Sequence, residues 1–156
     1  MDMLIKLYKL PSPAPFLCEL AKGGIVVRRA MSYERRKIVQ WVENTFNTSW
    51  ADEVEAAFGH SAIGCFIAVQ DRMVCGFCCL NTTFRNFVGP IGVAEKVRQK
   101  GVGRGLVLSA LNELLLTGYA YAIVGDVGQP IFFKAAAGAI EIPDSSPGPY
   151  PARIGM

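Results

Sequence analysis

The sequence lacks the long apolar run that a membrane-spanning helix needs. Its longest apolar stretches, such as LLLTGYAYAIV, are interrupted by Thr117 and Gly118, well short of the roughly 20 residues that cross a bilayer. Residues 1–27 contain charged side chains and several prolines, so they include no uninterrupted apolar segment typical of a secretory signal. We therefore predict a cytoplasmic protein without a membrane partner.

Metal-ligating residues are scarce as well. His60 is the single histidine, and the Cys-x-x-Cys within CGFCC has no second pair, whereas a metal site needs three or four converging ligands. We therefore predict no metal. Four of the five cysteines lie in segments with the pattern of buried strands, where reduced thiols pack as small apolar residues; they are Cys65, Cys75, Cys78 and Cys79. Strand alternation is expected to place Cys75, Phe77 and Cys79 on one face.

Excess charge is small, since the formal net charge is +3. The sequence has neither a polybasic tail nor the broad basic stripe with interleaved aromatic residues that nucleic-acid surfaces usually show. Its basic residues instead concentrate locally, at Lys96, Arg98, Lys100 and Arg104. This distribution predicts one small polyanion as partner and no nucleic acid.

What the sequence does have is enough apolar material for a folded interior. Of its 156 residues, 51% are hydrophobic and 19% are charged, which is typical of a chain that buries a core and unlike disordered compositions. Because this length suits one domain, we predict a single domain over residues 1–156.

Hydrophobic periodicity and turn residues predict an alternation of strands and helices. The expected strands are MLIKLYKL, GIVVRRA, residues 63–70, 73–82 and 86–93, and YAYAIV; the expected helices are PFLCELAKG, two helices capped by Ser32 and Ser49, RGLVLSALNELLLTG and IFFKAAA. Pro90 is expected to distort the strand at 86–93, because proline is confined to edges or bulges. YAYAIV must run parallel to that strand if the helix between them is a right-handed crossover.

The stretch VRQKGVGRGL, residues 97–106, joins the distorted strand to an apolar helix. A helix start presents unpaired N–H groups and the positive end of the helix dipole, which together favour an anion. Glycines at 101, 103 and 105 remove side chains that would keep phosphate oxygens from those N–H groups. The stretch therefore predicts a pyrophosphate site formed by the backbone.

Two common phosphate-loop patterns do not fit this stretch. A mononucleotide P-loop requires Gly-Lys-Ser/Thr, but Leu106 follows Gly105. A dinucleotide fingerprint requires Gly-x-Gly-x-x-Gly, and here the third glycine comes one residue early. The pattern that fits is Arg/Gln-x-x-Gly-x-Gly/Ala, formed by Arg98, Gly101 and Gly103.

Together with that pattern, the order of the segments FVGPIGV, VRQKGVGRGLVLSAL, GYAYAIVGD and IFFKAAAGA resembles the GNAT superfamily of acyl-CoA-dependent N-acetyltransferases. The resemblance covers residues 25–142 and is sharpest over 87–138. It implies an α/β (α+β) fold with a mixed, splayed central sheet flanked by helices. It also implies acetyl-CoA as co-substrate, bound where two parallel strands separate, a gap that the Pro90 distortion helps to open.

The resemblance further implies which residues hold acetyl-CoA. Backbone groups of residues 99–104 hold the pyrophosphate, groups of residues 91–93 bond the pantetheine arm, and the last helix contacts CoA. The cofactor-binding residues so implied are Ile91, Gly92, Val93, Arg98, Gln99, Lys100, Gly101, Val102, Gly103, Arg104, Gly105, Phe132 and Phe133. An amine attacks the thioester directly, without a covalent enzyme intermediate, and a backbone N–H near Val93 stabilises the oxyanion.

The sequence departs from the family at two catalytic positions. Phe133 stands where the last helix usually carries a tyrosine that protonates the departing thiolate, so we expect water or Tyr150 to supply that proton. The strand at 86–93 also lacks the glutamate that many relatives use as general base. Asp126, just past a buried strand, is the best-placed candidate base, although turn formation explains an aspartate there equally well. The predicted catalytic residues are Val93, Asp126 and Tyr150.

The two early helices leave alternatives open. In this family they usually roof the acceptor pocket, but the pattern of their acids favours an ordinary solvated helix face over a catalytic role; these acids are Glu43, Asp52, Glu53 and Glu55. Their aromatic residues either pack in the core or line that pocket; these are Trp41, Trp50 and Phe58.

These observations predict an N-acetyltransferase that acts on a small-molecule or peptide amine. One alternative is a CoA-binding sensor module without turnover, which the phenylalanine at 133 allows. The other is a dinucleotide-dependent oxidoreductase. Relatives often form homodimers, but no apolar stripe in this sequence identifies such an interface.

Overall fold

The structure is a computed structural model that describes residues 1–155. Within that range the chain forms seven strands and five α-helices. The strands are β1 (Met3–Lys6), β2 (Ile25–Arg29), β3 (Cys65–Gln70), β4 (Met73–Leu80), β5 (Phe87–Val93), β6 (Tyr121–Val124) and β7 (Ile140–Glu141). The helices are α1 (Ala14–Lys22), α2 (Arg35–Thr45), α3 (Thr48–Ala57), α4 (Val102–Leu116) and α5 (Pro130–Ala137).

The strands form one sheet in the order β2-β3-β4-β5-β6-β1-β7. Within residues 1–155, β5 and β6 make the one parallel pair, and every other neighbouring pair is antiparallel. The connection from β5 to β6 runs through α4, as a parallel pair requires. The mixed sheet flanked by helices that the sequence predicts is therefore confirmed.

Two apolar clusters cover the two faces of the sheet. One unites the buried side of α4 with β1 and β6, through residues such as Leu106, Leu111 and Met3. The other unites α2 and α3 with the opposite face of β3 and β4, through residues such as Val54 and Phe77. Trp41, Trp50 and Phe58 all pack against this second cluster, so core packing accounts for their spacing.

The parallel pair β5–β6 is short. Its register has two steps, Phe87 with Ile123 and Val88 with Val124, and β6 ends at Val124 while β5 continues to Val93. Just past the last pair, the β4–β5 register shifts, so that Gly89 and Pro90 form a bulge. The predicted distortion at Pro90 is thus present, and it lies where the two strands separate.

Three local predictions are wrong. Ser32 does not cap α2; it begins a short 3-10 turn, Ser32–Glu34. Ser49 does not cap α3 either, because Asn47 accepts the Trp50 N–H at 2.9 Å and α3 begins before Ser49. Cys75 lies on the α4 face and not with Phe77, because a register shift between β3 and β4 reverses the alternation there.

The cysteine prediction otherwise holds. Cys65, Cys75, Cys78 and Cys79 are buried free thiols, and Cys18 is exposed. Burial raises the pKa of the Cys75 and Cys79 thiols, so these thiols are protonated, weak nucleophiles.

Candidate functional site

The free edge of β5 forms one wall of the candidate site. The N–H of Ala94, just after β5, donates to the carbonyl oxygen of Cys75 in β4 at 2.8 Å. Backbone groups in an antiparallel strand alternate between its two edges, so Gly92 also faces β4, where it lies opposite Phe77. The N–H and C=O groups of Ile91 and Val93 therefore face the other edge, where β6 has already ended.

The loop after β5 turns its backbone toward the same gap. Gln99 has a φ of 64° and Gly101 a φ of 85°, and such left-handed residues between ordinary ones make successive N–H groups converge on an anion. The helix α4 then starts at Val102. In the described part of the chain, residues 1–155, the amides of residues 102–104 have no backbone acceptor, as expected for a first helical turn.

Basic and aromatic side chains surround this cradle of amides. Arg98 bends back to β5, where its Nε donates to Val93 O at 3.2 Å. The guanidinium of Arg104 lies 4.7 Å from the Phe16 ring centroid, a distance at which cation–π attraction fixes its position. A Cβ on Gly103 would lie 3.2 Å from the Phe132 ring, so Phe132 on α5 flanks the cradle.

Two predicted cofactor residues have other roles. Gly105 uses its N–H within α4, donating to Gly101 O at 3.0 Å, and a Cβ there would meet Leu20 at 2.8 Å. Gly105 therefore allows α1 to approach α4, and its N–H is already used within the helix. Phe133 is 6% exposed and belongs to the apolar core, so Phe132 is the aromatic residue of α5 that faces Gly103.

The two strands β5 and β6 separate after their last pair, Val88 with Val124, and we call this narrow end of the gap the apex. The hydroxyl of Tyr150 lies at the apex. Gly125 is the first residue after the last β5–β6 pair, and a Cβ at Gly125 would overlap the Tyr150 hydroxyl. The Phe84 ring lies 6.0 Å from the Tyr150 ring and 5.0 Å from the Phe87 ring, centroid to centroid. Sequence analysis thus selected a hydroxyl that the fold brings to the narrow end of the gap.

The sequence analysis missed Asp2, which is 6% exposed. Its Oδ1 accepts the Asp126 N–H at 2.8 Å and the Tyr150 hydroxyl at 3.1 Å. Burial, followed by the charge and hydrogen bond of Asp2, raises the pKa of Tyr150 to about 12. No local motif could have found this contact, since 148 positions separate Asp2 from Tyr150.

Asp126 lies beside this pair in a turn. Its φ is 48°, its N–H is bound by Asp2, and its side chain is exposed. The structure therefore brings Asp126 and Tyr150 together, whereas Val93 lies further along the gap.

The residues of β4 that lie opposite β5 show how far Ile91 and Val93 are, along the strand, from the last β5–β6 pair. Val88 lies opposite Leu80, Ile91 opposite Cys78 and Val93 opposite Gly76. At about 3.3 Å per residue, Ile91 is therefore about 7 Å and Val93 about 13 Å from the last β5–β6 pair. The Ile91 N–H therefore lies closer than the Val93 N–H to the level of Tyr150.

Comparison with known proteins identifies the family of this chain. A sequence model of the acetyltransferase (GNAT) family matches residues 32–130. The chain belongs to the GNAT acetyltransferase family. The resemblance drawn from the order of its motifs is confirmed. No curated protein sequence matches the chain.

Solved structures with the same fold are distant in sequence. A GCN5-related glucosamine N-acetyltransferase region of a fungal multi-domain GH3 β-N-acetylglucosaminidase has a TM-score of 0.72 at 17% identity, covering 87% of this chain and 19% of that protein. A GCN5-related N-acetyltransferase from Sphaerobacter thermophilus has a TM-score of 0.67 at 18% identity, covering 89% and 47%. The chain thus spans less than half the length of these two proteins.

A third neighbour carries the co-substrate. It is a GNAT family acetyltransferase from Brucella melitensis in complex with acetyl-CoA, with a TM-score of 0.54 at 21% identity, covering 70% of this chain and 80% of that one. Over residues 1–155 of the present protein, no three His, Cys, Asp or Glu side chains converge as a metal site would require. In the same range, every helix is too short or too polar to cross a membrane.

Proposed function

We propose that this GNAT acetyltransferase moves the acetyl group of acetyl-CoA to a primary amine by direct attack of the amine on the thioester. One observation carries the proposal. The N–H and C=O groups of Ile91 and the N–H of Val93 face the edge of β5 that β6 leaves open, and the amides of residues 102–104 at the start of α4 have no backbone acceptor. Acetyl-CoA is a long molecule with amide groups toward one end and a pyrophosphate toward the other. Its amides can bond to the backbone groups of β5, and its pyrophosphate can bond to the amides of residues 102–104.

Each part of the gap has a role in holding acetyl-CoA. The amides at the start of α4 bind the pyrophosphate, because they have no partner of their own and lie at the positive end of the helix. Arg98, Lys100 and Arg104 add positive charge around it. The edge of β5 bonds the amides of the pantetheine arm as an additional strand would.

At the apex, three groups act on the reacting atoms. The register along β5 leads us to assign the oxyanion to the N–H of Ile91 and the pantetheine arm to Val93, in place of the assignment to Val93 alone. Asp126 attracts the protonated amine and takes a proton to give the free amine before attack. Tyr150 supplies the proton that the thiolate needs, in place of the tyrosine that position 133 lacks.

A CoA-binding sensor without turnover is the second candidate, and the buried Phe133 is the observation that favours it. The hydroxyl of Tyr150 at the apex favours the enzyme. The dinucleotide-dependent oxidoreductase loses its support, because the match to the GNAT family covers residues 32–130.

Thiol release with a panel of primary amines tests the proposal. The fungal neighbour is described as a glucosamine N-acetyltransferase, so glucosamine belongs in the panel, and N-acetylglucosamine, which has no free amine, is its matched control. We expect at least one amine to yield free CoA and the corresponding amide in equal amounts. Tight binding of acetyl-CoA in calorimetry, with no thiol release for any amine, would identify the sensor instead.

A further inference from the structure

Asp2 is a buried carboxylate without a countercharge. Among residues 1–155, no lysine or arginine forms a salt bridge with it. Its backbone is fully used, since its N–H donates to Ser145 Oγ at 2.8 Å and its C=O accepts the Ile142 N–H at 3.0 Å. Burying an unpaired charge costs free energy, and an asparagine oxygen would accept the same hydrogen bonds without that cost.

The two groups that Asp2 binds place it next to the chemistry. Its Oδ1 holds the Tyr150 hydroxyl at 3.1 Å and the Asp126 N–H at 2.8 Å. Because the hydroxyl hydrogen is directed at Asp2, the lone pairs of the Tyr150 oxygen are left to accept a proton at the apex. The other charged group that faces Tyr150 is Asp126, and both carboxylates disfavour the tyrosinate.

We propose that Asp2 and Tyr150 form a proton relay that carries the proton of the attacking amine to the thiolate of CoA. This inference rests on the proposed function. It makes Tyr150 the group that contacts the reacting atoms and Asp2 the positioning residue that acts through it. The pair then replaces the tyrosine that the sequence lacks at position 133, and it acts after Asp126 has given the free amine.

The relay conserves protons and bonds. As the nitrogen forms its bond to the acetyl carbon, Tyr150 accepts the proton that nitrogen loses, and the hydroxyl proton of Tyr150 moves to Asp2. When the carbon–sulfur bond breaks, the thiolate takes a proton from Tyr150, and Asp2 returns its proton to Tyr150. The amine has lost one proton, the thiol has gained one, and the pair is restored.

The replacement Asp2→Asn tests the relay, because the amide oxygen keeps an acceptor for both hydrogen bonds and removes the proton-accepting charge. We expect kcat with the best amine to fall about tenfold or more, with the KM for acetyl-CoA unchanged. Asp144→Asn is the matched control, since Asp144 is exposed in the same C-terminal segment, and it should keep full turnover.

A double-mutant cycle separates the relay from a general structural effect. In a Tyr150→Phe background, Asp2→Asn should cause no further loss of kcat, because the charge of Asp2 acts through Tyr150 and the asparagine oxygen still accepts the Asp126 N–H. Full kcat in Asp2→Asn, or losses that multiply in the double variant, would overturn the relay. If Asp2→Asn does not fold, Tyr150→Phe alone decides, since it leaves the backbone bonds of Asp2 in place; full kcat in this variant would overturn the relay.

Failure of the proposed function has a different signature. It would appear as no thiol release by the unaltered protein with any amine. Failure of the relay would appear as full thiol release by the variants.

Discussion

Replacing Gly103 by aspartate is expected to weaken acetyl-CoA binding by about a hundredfold, which is about 2.7 kcal/mol. The new carboxylate would stand among the free amides of residues 102–104 and repel the pyrophosphate, and like charges a few ångströms apart near a protein surface repel by several kcal/mol. An acid in the first turn of a helix favours the helix itself. Calorimetry with acetyl-CoA measures the loss.

Gly103→Asn is the matched control for that variant. It has nearly the same size and meets the same Phe132 ring at 3.2 Å, but it carries no charge. We expect it to weaken binding much less than Gly103→Asp. Equal dissociation constants for the unaltered protein and Gly103→Asp would place the pyrophosphate elsewhere.

Replacing Gly125 by alanine is expected to lower kcat about a hundredfold while the dissociation constant of acetyl-CoA stays the same. The new Cβ would overlap the Tyr150 hydroxyl and lie 3.0 Å from the Phe87 ring, so it displaces the hydroxyl from the apex. A displacement of about 1 Å in a catalytic group can cost a factor of about 100 in rate. Steady-state thiol release, together with calorimetry, separates the two constants.

Gly128→Ala is the control for this second variant, because it changes the same loop and a Cβ there meets nothing within 4 Å. It should turn over like the unaltered protein. An unchanged kcat in Gly125→Ala would show that Tyr150 has no part in the reaction.

The free amides at the start of α4 could be predicted from the sequence because the residues that form them are close along the chain. Arg98 and Gly101 lie within four residues before the start of α4, and Gly103 lies in its first turn. The rule that a helix start attracts anions needs no tertiary information. Gly105 differs from Gly101 and Gly103, because at that position the same residue type serves helix packing against Leu20. Sequence alone does not distinguish a glycine that admits a ligand from one that admits a helix.

The apex of the split could be predicted only in part. The sequence presents Tyr150 only as a hydroxyl in a proline-rich tail, and nothing near it in the sequence indicates its contact with Gly125. Asp2 was missed because its partners, Asp126 and Tyr150, are brought to it by the pairing of β1 with β6 and by the path of the C-terminal segment. Long-range contacts of single polar side chains leave no periodic signal.

The face reversal at Cys75 has a similar origin. Regular alternation predicts one face for Cys75 and Phe77, and a register shift against β3 between Ala68 and Val69 reverses it. A bulge arises from how two strands pair, so the sequence of one strand does not disclose it.

A crystal structure with bound acetyl-CoA would locate the pyrophosphate and the thioester. We expect pyrophosphate oxygens about 3 Å from the amide nitrogens of residues 102–104, with the pantetheine amides bonded to Ile91 and Val93 and the sulfur near Tyr150. A pyrophosphate bound away from the start of α4, or a pantetheine arm outside the gap between β5 and β6, would contradict this expectation.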